Sequence, residues 1–486
     1  MNHTALTSRY RLGFALSLPL WARMVLITAM LGCAAVASAQ VKESVIYSFQ
    51  GGSDGATPVG SIVIDKAGNI YGATVYATPC SNSLQCGSVY QLSPPQRPGG
   101  MWTETTLYNF RGHDNGDGGS PEGGLIQDAA GNLYGTTGYG GTGPCILLGT
   151  PTGCGTVYEL VRPKQPGGKW IERVLYSFQG NQDGQFPMGY LVFDKRGNLY
   201  GATWFGGGKG TSCNPLYPYC GTVFKLTPPR STDRTGAWKE EVLHSFEGVE
   251  TGDGGNPNGG LLVDTKSSAI YGTTVIGGYN CPHNSGQGCG TVFRLSPSDH
   301  GDVPWTEEVL HEFGSDGDGA GPNGNLAFDA SDNLYGTTEG GGKSQSPTGT
   351  VFRFAHQPDG RFEERIVHSF ADGYDGGLPQ AGVIFGADGN LYGNTASGGA
   401  NGGGTLFRVL VENGVFQPLY QFQAPPDGSF PHSPVTFGPR GNLFGTTTYG
   451  GSGQACGNTH CGTVFMAGSQ TQVVSTTSRE KEEGRR

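Results

Sequence analysis

The chain has 486 residues and a net charge of −10, and 87 residues are Gly, about 18% against a usual ~7%. Long helices are excluded, because each interior Gly costs a helix about 1 kcal/mol relative to Ala. The acidic balance argues against a nucleic-acid partner, and 6 Trp, 21 Tyr and 24 Phe exclude a wholly disordered chain.

Residues 1–39 read as an export signal. Arg9, Arg11 and Arg23 precede an apolar run, 24–37, that is too short for the ~20 residues of a membrane span. Ala37-Ser38-Ala39 is a small-x-small cleavage site before Gln40. No second apolar span follows, so the mature chain is expected to be secreted, periplasmic or at the cell surface, as a monomer without a transmembrane segment.

Residues 40–468 carry seven copies of one phrase, at 69–72, 132–135, 198–201, 269–272, 333–336, 390–393 and 442–445. Its commonest form is Asn-Leu-Tyr-Gly. Each copy sits among four short runs rich in Val, Leu, Thr, Tyr and Phe and bounded by Gly or Pro, which read as strands. In the second unit these are 124–128, 133–137, 156–160 and 172–178, called A, B, C and D. The segment 128–132, Asp-Ala-Ala-Gly-Asn, joins A to B as a tight hairpin. Four strands per unit, seven units and no helical period give an all-β, seven-bladed β-propeller. A D-type run at 43–49 precedes the first A run, and the last unit, 434–467, has no D run. The N-terminal strand is therefore expected to pair with 463–467 and close the ring. Residues 469–486 read as a disordered polar tail.

The order of the runs resembles NHL-type propellers. The repeated Gly-Asn-Leu-Tyr-Gly-Thr-Thr and Gly-Thr-Val-Phe phrases resemble the GloVer tandem-repeat proteins, the exported bacterial "choice-of-anchor" group. The resemblance covers about 43–468 and implies an exported repeat protein whose biochemical function is not established.

Ten cysteines remain after the signal and fall in five local pairs: Cys80/Cys86, Cys145/Cys154, Cys213/Cys220, Cys281/Cys289 and Cys456/Cys461. Each pair lies in one B–C loop, and only the longer B–C loops carry one. Zinc favours closer spacing with a second Cys or His pair, so five disulfides are expected in an oxidising compartment.

Each D–A loop contains Asp-Gly-x-x-Pro, beginning at Asp54, Asp117, Asp183, Asp253, Asp318, Asp375 and Asp427. The plain reading is a structural turn. The sharper one is calcium, with Asp114, Asp117, Asp316 and Asp318 as candidate ligands. Gly-Gly-Ser-Asp-Gly at 51–55 matches a nucleophile pattern but opens this turn, where the strand-to-helix elbow is missing. His244, His311 and His368 replace the D-strand Tyr and read as packed strand residues.

Two residues beyond strand B, four blades carry an aromatic: Tyr76, Tyr139, Phe205 and Tyr449. These blades are contiguous once the ring closes, and Trp204, Tyr217 and Tyr219 add to the same side. Such an arc can stack on sugar faces. With no catalytic constellation, the chain reads as a binding or scaffold module for polysaccharide or a cell-surface partner. The alternative is a propeller hydrolase or lyase acting on extracellular polysaccharide. It requires non-repeated acids, His or Arg to converge in one central pocket, and His283, Lys209, His432 and His460 are the non-repeated residues near the loop face.

Overall fold

A computed structural model gives the fold. It describes residues 41–77, 86–210, 213, 219–230, 236–278, 281, 288–298, 304–314, 317–343, 348–423 and 425–468. The expected signal and tail lie outside these residues.

Seven four-stranded antiparallel sheets succeed one another as blades, each ordered A-B-C-D. In blade 2 the strands are Ile126–Gln127, Leu133–Thr137, Thr156–Val161 and Ile171–Ser177. The ring closes as expected. Lys42–Ser48 becomes strand D of blade 7 and pairs antiparallel with Thr463–Gly468, from Lys42 opposite Gly468 to Ser48 opposite Thr463.

The repeated phrase is explained atom by atom. In blade 1, Asp65 accepts bonds from the backbone N–H of Ala67 and Asn69, from Asn69 Nδ2 and from the Tyr71 hydroxyl. The Asn and Tyr therefore tie strand B to its own hairpin. The Gly that follows stands opposite a strand C aromatic. A Cβ on Gly201 would lie 2.5 Å from Phe224 Cζ, so no larger residue fits. The last Thr of strand B meets the hydroxyl that opens strand C in all seven blades, as in Thr137 Oγ1 to Thr156 Oγ1 at 2.8 Å and Thr74 to Ser88 at 2.7 Å.

Blades are held to one another by three repeated contacts. The Phe ending each D strand packs on the strand C aromatic of the next blade, with ring centroids 5.0–5.4 Å apart at all seven junctions. Burying each such ring stabilises the chain by about 1.5–3 kcal/mol. Outer Trp residues pack on the strand B aromatic of the preceding blade, as in Trp170 on Tyr71 and Trp102 on Phe444. The third contact is a latch in the Asp-Gly-x-x-Pro turn. The residue before Pro has a left-handed φ of 55–63° in every blade, at Thr57, Ser120, Phe186, Asn256, Gly321, Leu378 and Phe430. Its N–H donates to a carbonyl just before strand C of the preceding blade, as in Phe186 to Cys154 at 3.0 Å. The bond from Thr57 to the Cys461 carbonyl, 2.9 Å, is the latch that closes the ring.

In blade 2, strand A is shorter than its apolar run. The run 124–128 yields a ladder of two residues, because its first part turns to the neighbouring blade. Leu125 N–H donates to the Ser61 carbonyl, and a Cβ on Gly124 would lie 2.2 Å from Ser61 N. Glycines thus let inner backbones of adjacent blades touch around the axis.

Four disulfides form: Cys145–Cys154, Cys213–Cys220, Cys281–Cys289 and Cys456–Cys461. Cys86 is also disulfide-bonded, while Cys80 lies outside the described residues. Among the described residues no helix is long and apolar enough to cross a membrane.

Candidate functional site

Strand direction alternates, so the B–C and D–A loops share one face. Short ladders confirm this, for example Gly119 opposite Tyr139 and Ser429 opposite Tyr449. Within that face, the Asp of each Asp-Gly turn bonds the D-strand Tyr or His seven or nine residues before it. Tyr47, Tyr108, Tyr176 and Tyr420 donate hydroxyls at 2.8–3.0 Å. His244, His311 and His368 bring Nε2 to 3.1 Å. The three histidines are therefore partners of the turn that follows their own strand.

Asp117 also accepts the Arg111 N–H and ion-pairs with its guanidinium at 3.3 Å, and Asp318 accepts the Gly314 N–H. Both candidate calcium carboxylates are engaged by donors. Asp114 is exposed on the turn His113–Asn115, and Asp316 lies outside the described residues. Among the described residues no group of three or more His, Cys, Asp or Glu side chains is placed to hold a metal.

The aromatic arc divides. Tyr76 and Tyr449 are 43% and 39% exposed, whereas Phe205 is 6% exposed and belongs to the core. Tyr139, Trp204 and Tyr219 are half-buried, and Tyr217 lies outside the described residues. Two rings at the latch position extend the arc. Phe186 bridges Tyr139 and Phe205 at 5.1 and 5.9 Å, and Phe430 lies between Tyr449 and His432 at 5.7 and 6.2 Å. Trp204 stacks on Phe205 at 5.3 Å.

Beside this arc lies a cavity of about 250 Å³. It is lined by the residue that follows each repeated Pro: Val59, Glu122, Met188, Asn258, Asn323, Gln380 and His432 from blades 1 to 7. The Pro is the same in all seven blades, whereas its successor takes six identities. Seven latches bring seven variable side chains to the axis. Asn258 Nδ2 donates to Asn323 Oδ1 at 2.7 Å; Asn323 and Gln380 then both donate to Glu339 Oε1, at 2.5 and 3.1 Å. Blades 4 to 7 thus give a polar arc, while opposite them Val59, Val75 and Met188 flank the single carboxyl of Glu122. Burial pushes Glu122 up to about 7, only partly offset by the Ser120 hydroxyl, and burial lowers His432.

Of the non-repeated residues singled out from sequence, His432 reaches this cavity. Lys209 pairs with Glu247 at 3.1 Å, His460 Nδ1 lies 3.0 Å from the Gly453 carbonyl, and His283 is outside the described residues. Glu122, Glu339 and the amide arc were missed. The available signal was that the residue after each repeated Pro takes six identities in seven blades, with Asn in both blades 4 and 5.

The Gloeobacter/Verrucomicrobia repeat matches residues 35–281, 146–363 and 279–484. The chain belongs to this repeat family. No curated protein matches it in sequence. Among solved structures it is similar to a fungal alcohol oxidase of the AA5 family in complex with copper, 13% identical at a TM-score of 0.50, over 88% of this chain and 76% of that one. It is also similar to a protein of unknown function from Dyadobacter fermentans, 12% identical at 0.42 over 88% and 98%. An oligogalacturonate lyase from Vibrio parahaemolyticus is 10% identical at 0.42 over 85% and 98%. At these identities the likeness is one of fold.

Proposed function

We propose that this member of the repeat family is an exported binding module that takes one neutral sugar unit of a polysaccharide in the axial cavity. The observation that carries the reading is the convergence, at the axis, of the position where the seven repeats stop repeating. The cavity is amphipathic, with amides along one side and, on the other, Val59, Val75 and Met188 around Glu122. A pyranose has the same division between its hydroxyl edge and its C–H faces. The volume, below the ~300–1,000 Å³ of drug-sized sites, suits a single unit. Tyr76 and Tyr449 are the exposed rings of the arc and supply stacking faces for neighbouring units. The leader-like residues 1–39 and the four disulfides support export.

A glycan array with the mature chain, followed by calorimetry on the hits, tests this. Asn258→Leu with Asn323→Leu is expected to weaken binding by about tenfold or more, since each leaves ligand hydroxyls unpaired. Tyr76→Ala with Tyr449→Ala is expected to weaken it at unchanged melting temperature. Failure of every glycan to bind, or indifference of binding to both variants, overturns the proposal.

One observation favours a catalytic reading. Glu122 holds its proton up to about pH 7 and shares the cavity with His432, as a general acid and base pair would. Release of new reducing or unsaturated ends from a bound polysaccharide, lost in Glu122→Gln, would establish it. Binding without cleavage excludes it.

A further inference from the structure

A second, larger cavity of about 640 Å³ lies on the opposite face, where the A–B hairpins and C–D turns emerge, at the seam between blades 7 and 1. Its walls are apolar, with Pro94, Trp102, Pro439 and Phe444 among them, and it carries the exposed cations Lys66, Arg97 and Arg440 without a lining acid. In a chain with a net charge of −10 this is a local reversal of sign.

The seam departs from the other blades in two ways. Six hairpins contain an Asp that takes up local donors, and in blades 1, 2, 3, 5 and 6 its carboxylate accepts the Asn Nδ2 and the Tyr hydroxyl. In blade 7 the Asp is replaced by Gly438 and the Tyr by Phe444. Asn442 Nδ2 is left with the Met466 thioether at 3.6 Å, a weak acceptor. The hairpins of blades 4 and 5 are joined by Lys266 and Asp332 at 2.7 Å. Across the closing seam Arg440 and Lys66 carry like charges, and neither has a carboxylate partner among the described residues.

We infer that this groove docks an extended acidic peptide segment of a partner protein. Its carboxylates meet Asn442, Arg440, Lys66 and Arg97, and its apolar side chains lie between the prolines and Trp102. The missing hairpin carboxylate is thus supplied from outside. Aromatic-lined grooves recur as docking sites for extended peptides, and Arg clusters for acidic motifs.

Fluorescence anisotropy with a labelled peptide alternating Glu with Leu and Pro tests the inference on the mature chain. The expected result is binding that weakens about tenfold in Lys66→Glu with Arg440→Glu, and likewise between ~0.05 and ~0.5 M salt. Arg97→Glu, on an exposed turn, gives the same direction should the double variant fold poorly. No binding by the wild type, or equal binding by the charge-reversed chains, overturns the proposal. Binding of oligogalacturonate in place of the peptide assigns the groove to an acidic glycan and overturns it too. Binding that appears only after removal of residues 469–486 assigns it to the chain's own tail, with the same consequence.

Discussion

Acidic side chains on the outer strands set how this protein responds to pH. Burial and the nearby Asp427 raise Glu43 to about 8. Burial, then Asp117 for Glu172, Asp183 for Glu240 and Asp253 for Glu307, raises these three to about 7. Each folded value exceeds the ordinary 4.5, so the folded state binds these protons more tightly than the unfolded one. Their favourable contribution is full below about pH 4.5 and is lost as pH rises through 7–8. Hairpin carboxylates act in the opposite sense. Asn side-chain and backbone donors lower Asp194 and Asp329 despite burial, and their contribution is lost as pH falls below about 4. The melting temperature is therefore expected to peak at about pH 4 to 4.5 and fall toward pH 8, with a shallower fall in Glu172→Gln. A melting temperature that rises between pH 5 and pH 8 would refute this linkage. At the same scale, Leu378 holds a left-handed φ of 55°, which costs an L-residue about 1–2 kcal/mol. Asn tolerates that conformation and stands at the equivalent position in blade 4 as Asn256, so Leu378→Asn should stabilise the chain by about 1 kcal/mol in denaturant titrations. Unchanged or lowered stability would show that the Leu378 side chain outweighs the strain.

The stapled loops and the latches are one device at the scale of elements. The second Cys of a pair also supplies the carbonyl that receives the next blade's latch, as Cys154, Cys220, Cys289 and Cys461 do for Phe186, Asn256, Gly321 and Thr57. Each bridge closes only 5 to 9 residues, so each is worth about 2 kcal/mol in the chain-entropy account. Reduction should lower the melting temperature and raise hydrogen exchange at the latch amides first, while the D–C ladders stay protected. Uniform loss of protection would place the bridges in the global folding unit instead. The four strands of each blade were legible from Asn-Leu-Tyr-Gly and Gly-Thr-Val-Phe, because those phrases pair as strands B and C of one blade, with Asn and Tyr bonded to the blade's own hairpin. The shortness of strand A in blade 2 was not, since Gly124 answers to Ser61 of the neighbouring blade.

At the scale of the whole molecule, ring closure was legible from an orphan D run at one end and a missing D run at the other. The pairing of Lys42–Ser48 with Thr463–Gly468 follows from that count. Deleting residues 40–50 should destabilise the entire ring, because it exposes the edge of Thr463–Gly468 and removes Phe49 from Tyr90. Deleting 470–486 should leave the melting temperature unchanged; equal effects of the two deletions would refute closure by the N-terminal strand. The axial site was not legible in advance. Val59, Glu122, Met188, Asn258, Asn323, Gln380 and His432 are scattered through the chain, and only the closed ring makes them neighbours. The repeated Pro marks where to look, and repeat-based reasoning passes over its successor because no one residue type holds that position around the ring.

The claim that ligand enters at the axis is tested most directly by plugging the cavity from a position remote from the exposed rings. Met188→Trp adds bulk to the cavity wall and leaves Tyr76 and Tyr449 untouched. Calorimetric titration with the best oligosaccharide from the array should show binding lost in Met188→Trp at a melting temperature close to that of the parent chain. Full affinity in the plugged variant would contradict the axial site and place recognition on the outer loops.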